Sequence, residues 1–278
     1  MKQERFFLDP SDDRVMLDGY LPDLSRADMP AILVIAGGGY ACVCDDREGE
    51  PIALAFLALG YAAFVLHYRV GKPTDVYPAQ LLDASRAILF LRQNAARFSI
   101  DPSQVYAVGF SAGGHLCGSL ACAFDDVTDL LGIEKGENRP TAVALAYPVV
   151  TLNELPPALS FSRLLNRQDN RYTPEEIETL SLDLRVNAES APMFLWHTAE
   201  DEVVAPQGTL LLAAACVRHH VPCAMELYPF GPHGASLGSE ITAEGNTGYL
   251  QEQIQGWPMR ADRFFRSLRE RATGNRRH

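Results

Sequence analysis

The residues best suited to chemistry are Gly109-Phe110-Ser111-Ala112-Gly113, a G-x-S-x-G pattern between an apolar run at 105–109 and a small-residue stretch at 112–123. A strand that turns sharply into a helix at such a pattern holds its serine in a strained backbone conformation and lifts the hydroxyl above the sheet edge. Side chains at the two glycine positions would collide with neighbouring chain. The helix N-terminus below the serine favours developing negative charge. This arrangement suits nucleophilic attack on a carbonyl, with Ser111 as the nucleophile. A serine alcohol is weak at neutral pH, so the chemistry also needs a base and a carboxylate to orient that base.

At a turn of this kind the partners follow in the order serine, acid, histidine. The downstream histidines are His115, His197, His219, His220 and His233, with one more at the tail. His115 lies one turn into the elbow helix and reads as structural, and His197 lies within a strand. His219 and His220 end a helix, where a cation suits the dipole. His233 sits in Gly231-Pro232-His233-Gly234, a flexible loop after a late strand, and is the expected base. The strand at 193–197 leads into Thr198-Ala199-Glu200-Asp201-Glu202-Val203-Val204, where three carboxylates compete. Asp201 is the expected acid, because a short side chain is easily held rigid and the following Val203-Val204-Ala205-Pro206 can anchor the loop. The oxyanion hole is expected from backbone N–H groups of Ala112 and of Gly38 and Gly39, in the loop Gly37-Gly38-Gly39-Tyr40 after an early strand. Tyr40 is expected to touch substrate. These glycines match neither G-x-x-x-x-G-K-[ST] nor G-x-G-x-x-G, so nucleotide binding is not expected.

The hydrophobic pattern places the elements that must hold these residues. Ala31-Ile32-Leu33-Val34-Ile35-Ala36 carries no charge and ends at the glycines, as a strand buried on both faces would. Ile52, Ala55, Phe56 and Leu59 recur near helical spacing until Gly60 stops the helix. Ala62-Ala63-Phe64-Val65-Leu66 predicts the next strand. Pro78 opens a helix expected to end near Ser99, with Leu82, Ile88, Leu89 and Leu91 facing inward. Further strands are predicted at 105–109, 142–147, 193–197 and 224–228, and helices at 112–123, 210–219 and 258–271. This repeated order predicts an α/β fold, a mainly parallel sheet with helices on both faces. Phe6-Phe7-Leu8 and Val15-Met16-Leu17 are expected to add antiparallel edge strands. The segment 151–190 breaks the rhythm: it is polar, holds Pro156-Pro157, and starts a helix at Thr173-Pro174-Glu175-Glu176. It is too long for a plain connection. The expectation is a small lid, inserted within a single domain spanning 1–278, where it can shape a substrate pocket.

Composition removes other classes. With 278 residues, 47% of them hydrophobic, there is enough apolar side chain to offset the entropy of ordering most of the chain. A net charge of −11 argues against a nucleic-acid partner, which needs a basic face. The one basic stretch, 260–278, holds seven arginines, but they alternate with Phe264, Phe265 and Leu268, as in an amphipathic last helix with a solvated face. The six cysteines form no C-x-x-C pair, and no histidines stand at paired ligand spacing apart from the adjacent His219-His220, so neither metal nor cofactor is expected. Met1 to Arg5 lack the apolar core of a signal peptide. The longest uncharged run, 51–68, is broken by Gly60 and reads as helix, turn and strand instead of a membrane span. The expectation is a cytoplasmic protein with free thiols and no membrane partner, with which a homo-oligomer is compatible.

The sequence resembles the α/β-hydrolase superfamily over essentially its whole length. The resemblance is carried by Gly37-Gly38-Gly39-Tyr40, Asp46-Arg47-Glu48-Gly49-Glu50-Pro51-Ile52-Ala53, Gly60-Tyr61, Val65-Leu66-His67-Tyr68-Arg69-Val70, residues 109–116, His197-Thr198-Ala199-Glu200-Asp201 and His233-Gly234. More narrowly, it resembles the bacterial esterase/lipase group that includes acetylxylan-esterase-like and feruloyl-esterase-like proteins. That resemblance implies the α/β-hydrolase fold and a triad of Ser111, His233 and Asp201. It also implies hydrolysis of carboxylic esters through an acyl-enzyme. The implied partner is a small ester carrying a short acyl group, such as an acetylated oligosaccharide. One departure stands out: many relatives begin the oxyanion loop with His-Gly-Gly, and here Ala36 occupies the histidine's place. Something else must brace the loop. A peptidase or amide hydrolase with the same machinery stays open, as does a non-catalytic hydrolase-like binding protein. The first needs an extra domain or amide pocket that the sequence does not display, and the complete triad argues against the second.

Overall fold

The computed structural model describes residues 1–23, 27–152 and 159–274. Eight strands form one sheet: β1 (Lys2–Phe7), β2 (Met16–Leu21), β3 (Met29–Ile35), β4 (Ala62–His67), β5 (Ile100–Phe110), β6 (Val143–Ala146), β7 (Met193–Thr198) and β8 (Cys223–Tyr228). Their order across the sheet is β1-β2-β4-β3-β5-β6-β7-β8. From β4 through β8 every neighbouring pair is parallel. β1 pairs antiparallel with β2, and β2 pairs antiparallel with β4. This is the mainly parallel α/β architecture expected from the strand-helix alternation, with the N-terminal hairpin at one edge.

Continuous apolar runs become strands here because both faces of the sheet are covered. Successive side chains point to opposite faces, so Leu33, Ile35, Val105 and Ala107 enter one core while Ile32, Val34, Tyr106 and Val108 enter the other. Helices Ala79–Gln93, Ser111–Cys122 and Gln207–Arg218 supply the first core, through residues such as Ile88, Leu120 and Leu212. Helices Glu50–Ala58 and Trp257–Ala272 supply the second, through Phe56, Trp257, Ala261 and Phe265. The last helix is amphipathic as expected, but its arginines are not simply solvated. Arg260 pairs with Glu226 at 2.7 Å and Arg266 with Asp262 at 2.9 Å.

Two helical expectations need correction. The helix expected from Pro78 to Ser99 stops at Gln93, and a separate short helix, Ala95–Phe98, ends at Ser99 in the left-handed conformation. Its buried stripe is Leu81, Ala84, Ile88 and Leu91, whereas Leu82 and Leu89 are only half-buried. The phase is displaced because the helix also buries a charge: Asp83 faces inward to take three side-chain bonds from Arg69 at 2.6–3.0 Å, together with one from the Arg69 backbone N–H. Within 151–190 lie helices Leu159–Leu164, Pro174–Leu180 and Leu182–Arg185. The start expected at Thr173 is a reciprocal cap, with Thr173 Oγ1 accepting from Glu176 N–H at 3.2 Å and Thr173 N–H donating to Glu176 Oε2 at 2.8 Å. Pro156-Pro157 lies outside the described residues.

Candidate active site

β5 runs without a loop into the helix Ser111–Cys122. Ser111 sits at φ +52°, a left-handed conformation that costs a non-glycine residue about 1–3 kcal/mol and persists only where the surroundings enforce it. The surroundings do so. A Cβ on Gly113 would lie 2.3 Å from the carbonyl oxygens of both Ile35 and Ala36, and one on Gly109 would lie 2.3 Å from the Gly113 carbonyl oxygen. The helix therefore starts hard against the end of β3, and only glycine fits at either position. The serine hydroxyl is left at the C-terminal rim of the parallel strands, where an open α/β sheet presents its crevice.

Two loops at that rim deliver the partners. The turn after β7 carries Asp201 and the loop after β8 carries His233. Ser111 Oγ lies 2.8 Å from His233 Nε2, and His233 Nδ1 lies 2.6 Å from Asp201 Oδ2. Asp201 is fixed on its other side, with Oδ1 accepting from the N–H groups of Val203 at 2.9 Å and Val204 at 2.8 Å. Burial pushes the Asp201 carboxyl up. The hydrogen bonds from His197 and His233, the charge of His233 and the Val204 N–H outweigh this and hold it well below the usual carboxylate range. The competing carboxylates go elsewhere: Glu200 accepts from Gly231 N–H at 3.1 Å, and Glu202 is exposed. An imidazole held by an ionised carboxylate on one nitrogen and facing a serine with the other can accept the hydroxyl proton.

The glycine loop after β3 stands over the same point. Gly38 and Gly39 line a cavity of about 300 Å³ together with Ser111, Glu48 and His233. Leu159, Ser160 and Arg163, from the 151–190 segment, line its other side. The N–H groups of Gly38, Gly39 and Ala112 have no acceptor among the described residues. Tyr40 departs from expectation. Its side chain is 4% exposed, does not line the cavity, and binds His115 Nδ1 through its hydroxyl at 2.7 Å. It is buried because His115 Nε2 is engaged by the Leu180 carbonyl at 2.8 Å, which leaves Nδ1 to be satisfied from the loop. His115 is thus structural, and burial pushes its pKa down to about 4.

Two polar residues at the site escape sequence reasoning. His197, fully buried in β7, donates from Nε2 to Asp201 Oδ2 at 2.9 Å while Nδ1 meets the Thr209 hydroxyl at 2.8 Å. It backs the acid instead of serving as the base. Glu48 is 1% exposed and accepts from Gly37 N–H at 2.8 Å and from the Tyr147 hydroxyl at 2.7 Å. Burial pushes the Glu48 carboxyl up, against the Tyr147 hydrogen bond and the Arg47 charge. No local spacing flags Glu48, because its partners come from other elements. His197 stands four positions before Asp201, but its place within a strand points to packing and not to a bond with the acid. Among the described residues, no group of histidine, cysteine, aspartate or glutamate could hold a metal ion, and no helix is long and apolar enough to cross a membrane.

Known proteins are similar to this chain in sequence and in fold. The chain is 37% identical over 247 residues to Endo-1,4-beta-xylanase B of Butyrivibrio fibrisolvens, covering 84% of this chain and 38% of that protein. It is 26% identical over 240 residues to an acetylxylan esterase of Xylanibacter ruminicola, covering 85% of this chain and 47% of that protein. The chain thus spans less than half the length of both curated relatives. Among solved structures, an acetyl ester-xyloside bifunctional hydrolase from Caldicellulosiruptor lactoaceticus superposes with a TM-score of 0.77 at 33% identity, covering 94% of this chain and 90% of that one. A carboxylesterase from Lactobacillus plantarum superposes with a TM-score of 0.83 at 25% identity, covering 96% and 98%. The BD-FAE family profile matches residues 17–215. The strand order, the strained serine at the elbow and this match together place the chain in the BD-FAE family of α/β-hydrolase esterases.

Proposed function

We propose that this chain is a serine carboxylic-ester hydrolase that removes short acyl groups, acetyl foremost, from small carbohydrate esters. The observation that carries the reading is the unbroken hydrogen-bond chain from Asp201 through His233 to Ser111, opening into a cavity lined by Gly38 and Gly39. Ser111 Oγ attacks the ester carbonyl as His233 Nε2 takes its proton. The carbonyl oxygen, now negative, is received by N–H groups of Gly38, Gly39 and Ala112. His233 then protonates the leaving alcohol, and the acyl group stays on Ser111. A water molecule, deprotonated by His233, repeats the attack and releases the acid. Asp201 stays ionised throughout and balances the imidazolium.

Two observations support a short acyl group on a sugar. The cavity, at about 300 Å³, lies at the small end of ligand sites. Two of the relatives above are an acetylxylan esterase and an acetyl ester-xyloside hydrolase. The 151–190 segment acts as a lid inserted in one domain, contributing Leu159, Ser160 and Arg163 to the cavity wall. Ser111→Ala is expected to lower hydrolysis of 4-nitrophenyl acetate on the order of 10⁴-fold. Retained activity in that variant removes the mechanism. Rates on acetylated xylo-oligosaccharides, and on 4-nitrophenyl esters of increasing chain length, test the substrate. A preference for C8 or longer acyl chains rejects the acetyl reading, and a faster matched anilide would favour an amide hydrolase.

A further inference from the structure

The loop 37–40 poses a mechanical problem. Three consecutive glycines give it wide backbone freedom, yet oxyanion donors help only if they are held in place before charge develops. Ala36, at the head of the loop, offers no side-chain donor or acceptor. Turn bonds from the N–H groups of Ala41, Cys42 and Cys44, and the Tyr68 hydroxyl on the Ala36 carbonyl, hold the loop's carbonyl groups. The side-chain acceptor for its N–H groups is one carboxylate. Gly37 N–H donates to Glu48 Oε2 at 2.8 Å, and the Tyr147 hydroxyl donates to Glu48 Oε1 at 2.7 Å. The N–H of Ser236, three residues past His233, donates to the same Tyr147 oxygen at 3.2 Å. Ser236 Oγ donates to the Arg47 carbonyl at 2.8 Å. The Tyr147 ring also meets the His233 ring edge-on, with centroids 5.0 Å apart.

The fit beside Gly37 is close. A Cβ there would lie 2.8 Å from Glu48 Oε2 and 3.0 Å from Ser111 Cβ. Glu48 and the nucleophile's own side chain thus crowd the one face of Gly37 that a Cβ would occupy, and only glycine fits there. Burying a carboxylate is unfavourable, and a well-packed apolar residue of similar volume would serve stability as well or better. The nearest cation, Arg47, reaches Glu48 only at 4.0 Å. A buried acid with two committed oxygens at the mouth of the site, and an ion-pair partner that distant, is best explained by what it positions.

We propose that Glu48 is a positioning residue for acyl transfer. It sets the Gly37 peptide so that the next N–H groups, on Gly38 and Gly39, face the tetrahedral oxyanion. Through Tyr147 it keeps the loop carrying His233 in register with them. This rests on the serine-hydrolase reading above. Glu48 forms no bond to substrate and exchanges no proton in the reaction.

The oxyanion exists only in the transition state and the tetrahedral intermediate, so the effect falls on kcat and not on KM. Glu48→Ala is expected to lower kcat on 4-nitrophenyl acetate about 10²-fold, the typical loss when a donor is misplaced, with KM nearly unchanged. Affinity for a trifluoromethyl ketone, which forms a tetrahedral adduct with the serine, should fall in parallel. Glu48→Gln keeps an amide oxygen that can accept from Gly37 N–H and should recover most of the rate. Tyr147→Phe removes one oxygen only, and should lower kcat at constant KM even if Glu48→Ala does not fold. Wild-type kcat in folded Glu48→Ala, or in Tyr147→Phe, overturns the proposal. So does a loss confined to KM, or an equal loss in Glu48→Gln and Glu48→Ala. Ser111→Ala on the same ester tests the parent reading separately: if that variant stays active, the serine mechanism fails whatever the Glu48 variants do.

Discussion

Replacing Asp201 by asparagine should put His233 into the wrong tautomer. In the native arrangement Asp201 Oδ1 accepts two backbone N–H groups, from Val203 and Val204. Oδ2 accepts from two histidines, His233 Nδ1 at 2.6 Å and His197 Nε2 at 2.9 Å. An asparagine has one acceptor end and one donor end. Turning its NH₂ toward Val203 and Val204 would face a donor against two fixed backbone donors, which cannot rotate away. The amide oxygen must therefore take that side, and the NH₂ points at the two histidines. His197 can adapt, because a proton moved to Nδ1 is accepted by the Thr209 hydroxyl. His233 can adapt only by moving its proton to Nε2, the nitrogen that faces Ser111 Oγ at 2.8 Å.

An imidazole protonated on that nitrogen cannot accept the serine proton. The expected loss in kcat is on the order of 10⁴, equivalent to about 5 kcal/mol of barrier. Steady-state kinetics on 4-nitrophenyl acetate, with circular dichroism to establish that the variant is folded, measure it. The fall should be in kcat with KM little changed, since neither Asp201 oxygen is needed to hold the ester. A folded Asp201→Asn enzyme that keeps more than about a tenth of wild-type kcat would refute the tautomer argument, because a lost orienting contact without a wrong tautomer leaves a far smaller effect.

Tyr40→Phe should leave KM for short esters unchanged and lower stability by about 1–3 kcal/mol, because it strips His115 Nδ1 of its buried partner. A large KM change with unchanged unfolding would restore Tyr40 to the substrate. His115 also predicts a pH dependence. Burial holds its folded pKa at about 4, below the ordinary 6.5, so the unfolded chain takes up the proton first as pH falls. Its contribution is present in full above about pH 6.5 and is lost as pH falls toward 4, on the order of 3 kcal/mol in all. Denaturant unfolding at pH 7 and pH 5 in wild type and His115→Phe checks it, and a slope as steep in the variant would show that another group is responsible.

The β-strands were legible because a parallel sheet covered on both faces demands uncharged runs, and Ala31 to Ala36 or Phe194 to Trp196 can satisfy little else. The elbow is legible because its G-x-S-x-G pattern is local, five consecutive residues between an apolar run and a small-residue helix, although what makes Gly113 obligate is the end of β3. Asp201 and His233 were reachable from loop position and chain order. Helix phase was less secure. Hydrophobicity points Leu82, Ile88, Leu89 and Leu91 inward. Ile88 and Leu91 are buried, but with Asp83 drawn into the core by Arg69 the stripe is completed by Leu81 and Ala84 in place of Leu82 and Leu89.

The sequence by itself pointed to Ser111 as the proposed nucleophile, to the strands beside it and to the loops that bring Asp201 and His233, since each is signalled by its neighbours in the chain and by chain order. Only tertiary structure decided that Tyr40 faces His115, that His197 backs Asp201, and that Glu48 joins the glycine loop to Tyr147. The physical reason is that a buried polar atom must be satisfied by whichever partner the packed chain places within bonding distance. For Glu48 that partner lies 99 positions away, a separation over which neither periodicity nor spacing in the sequence holds any information.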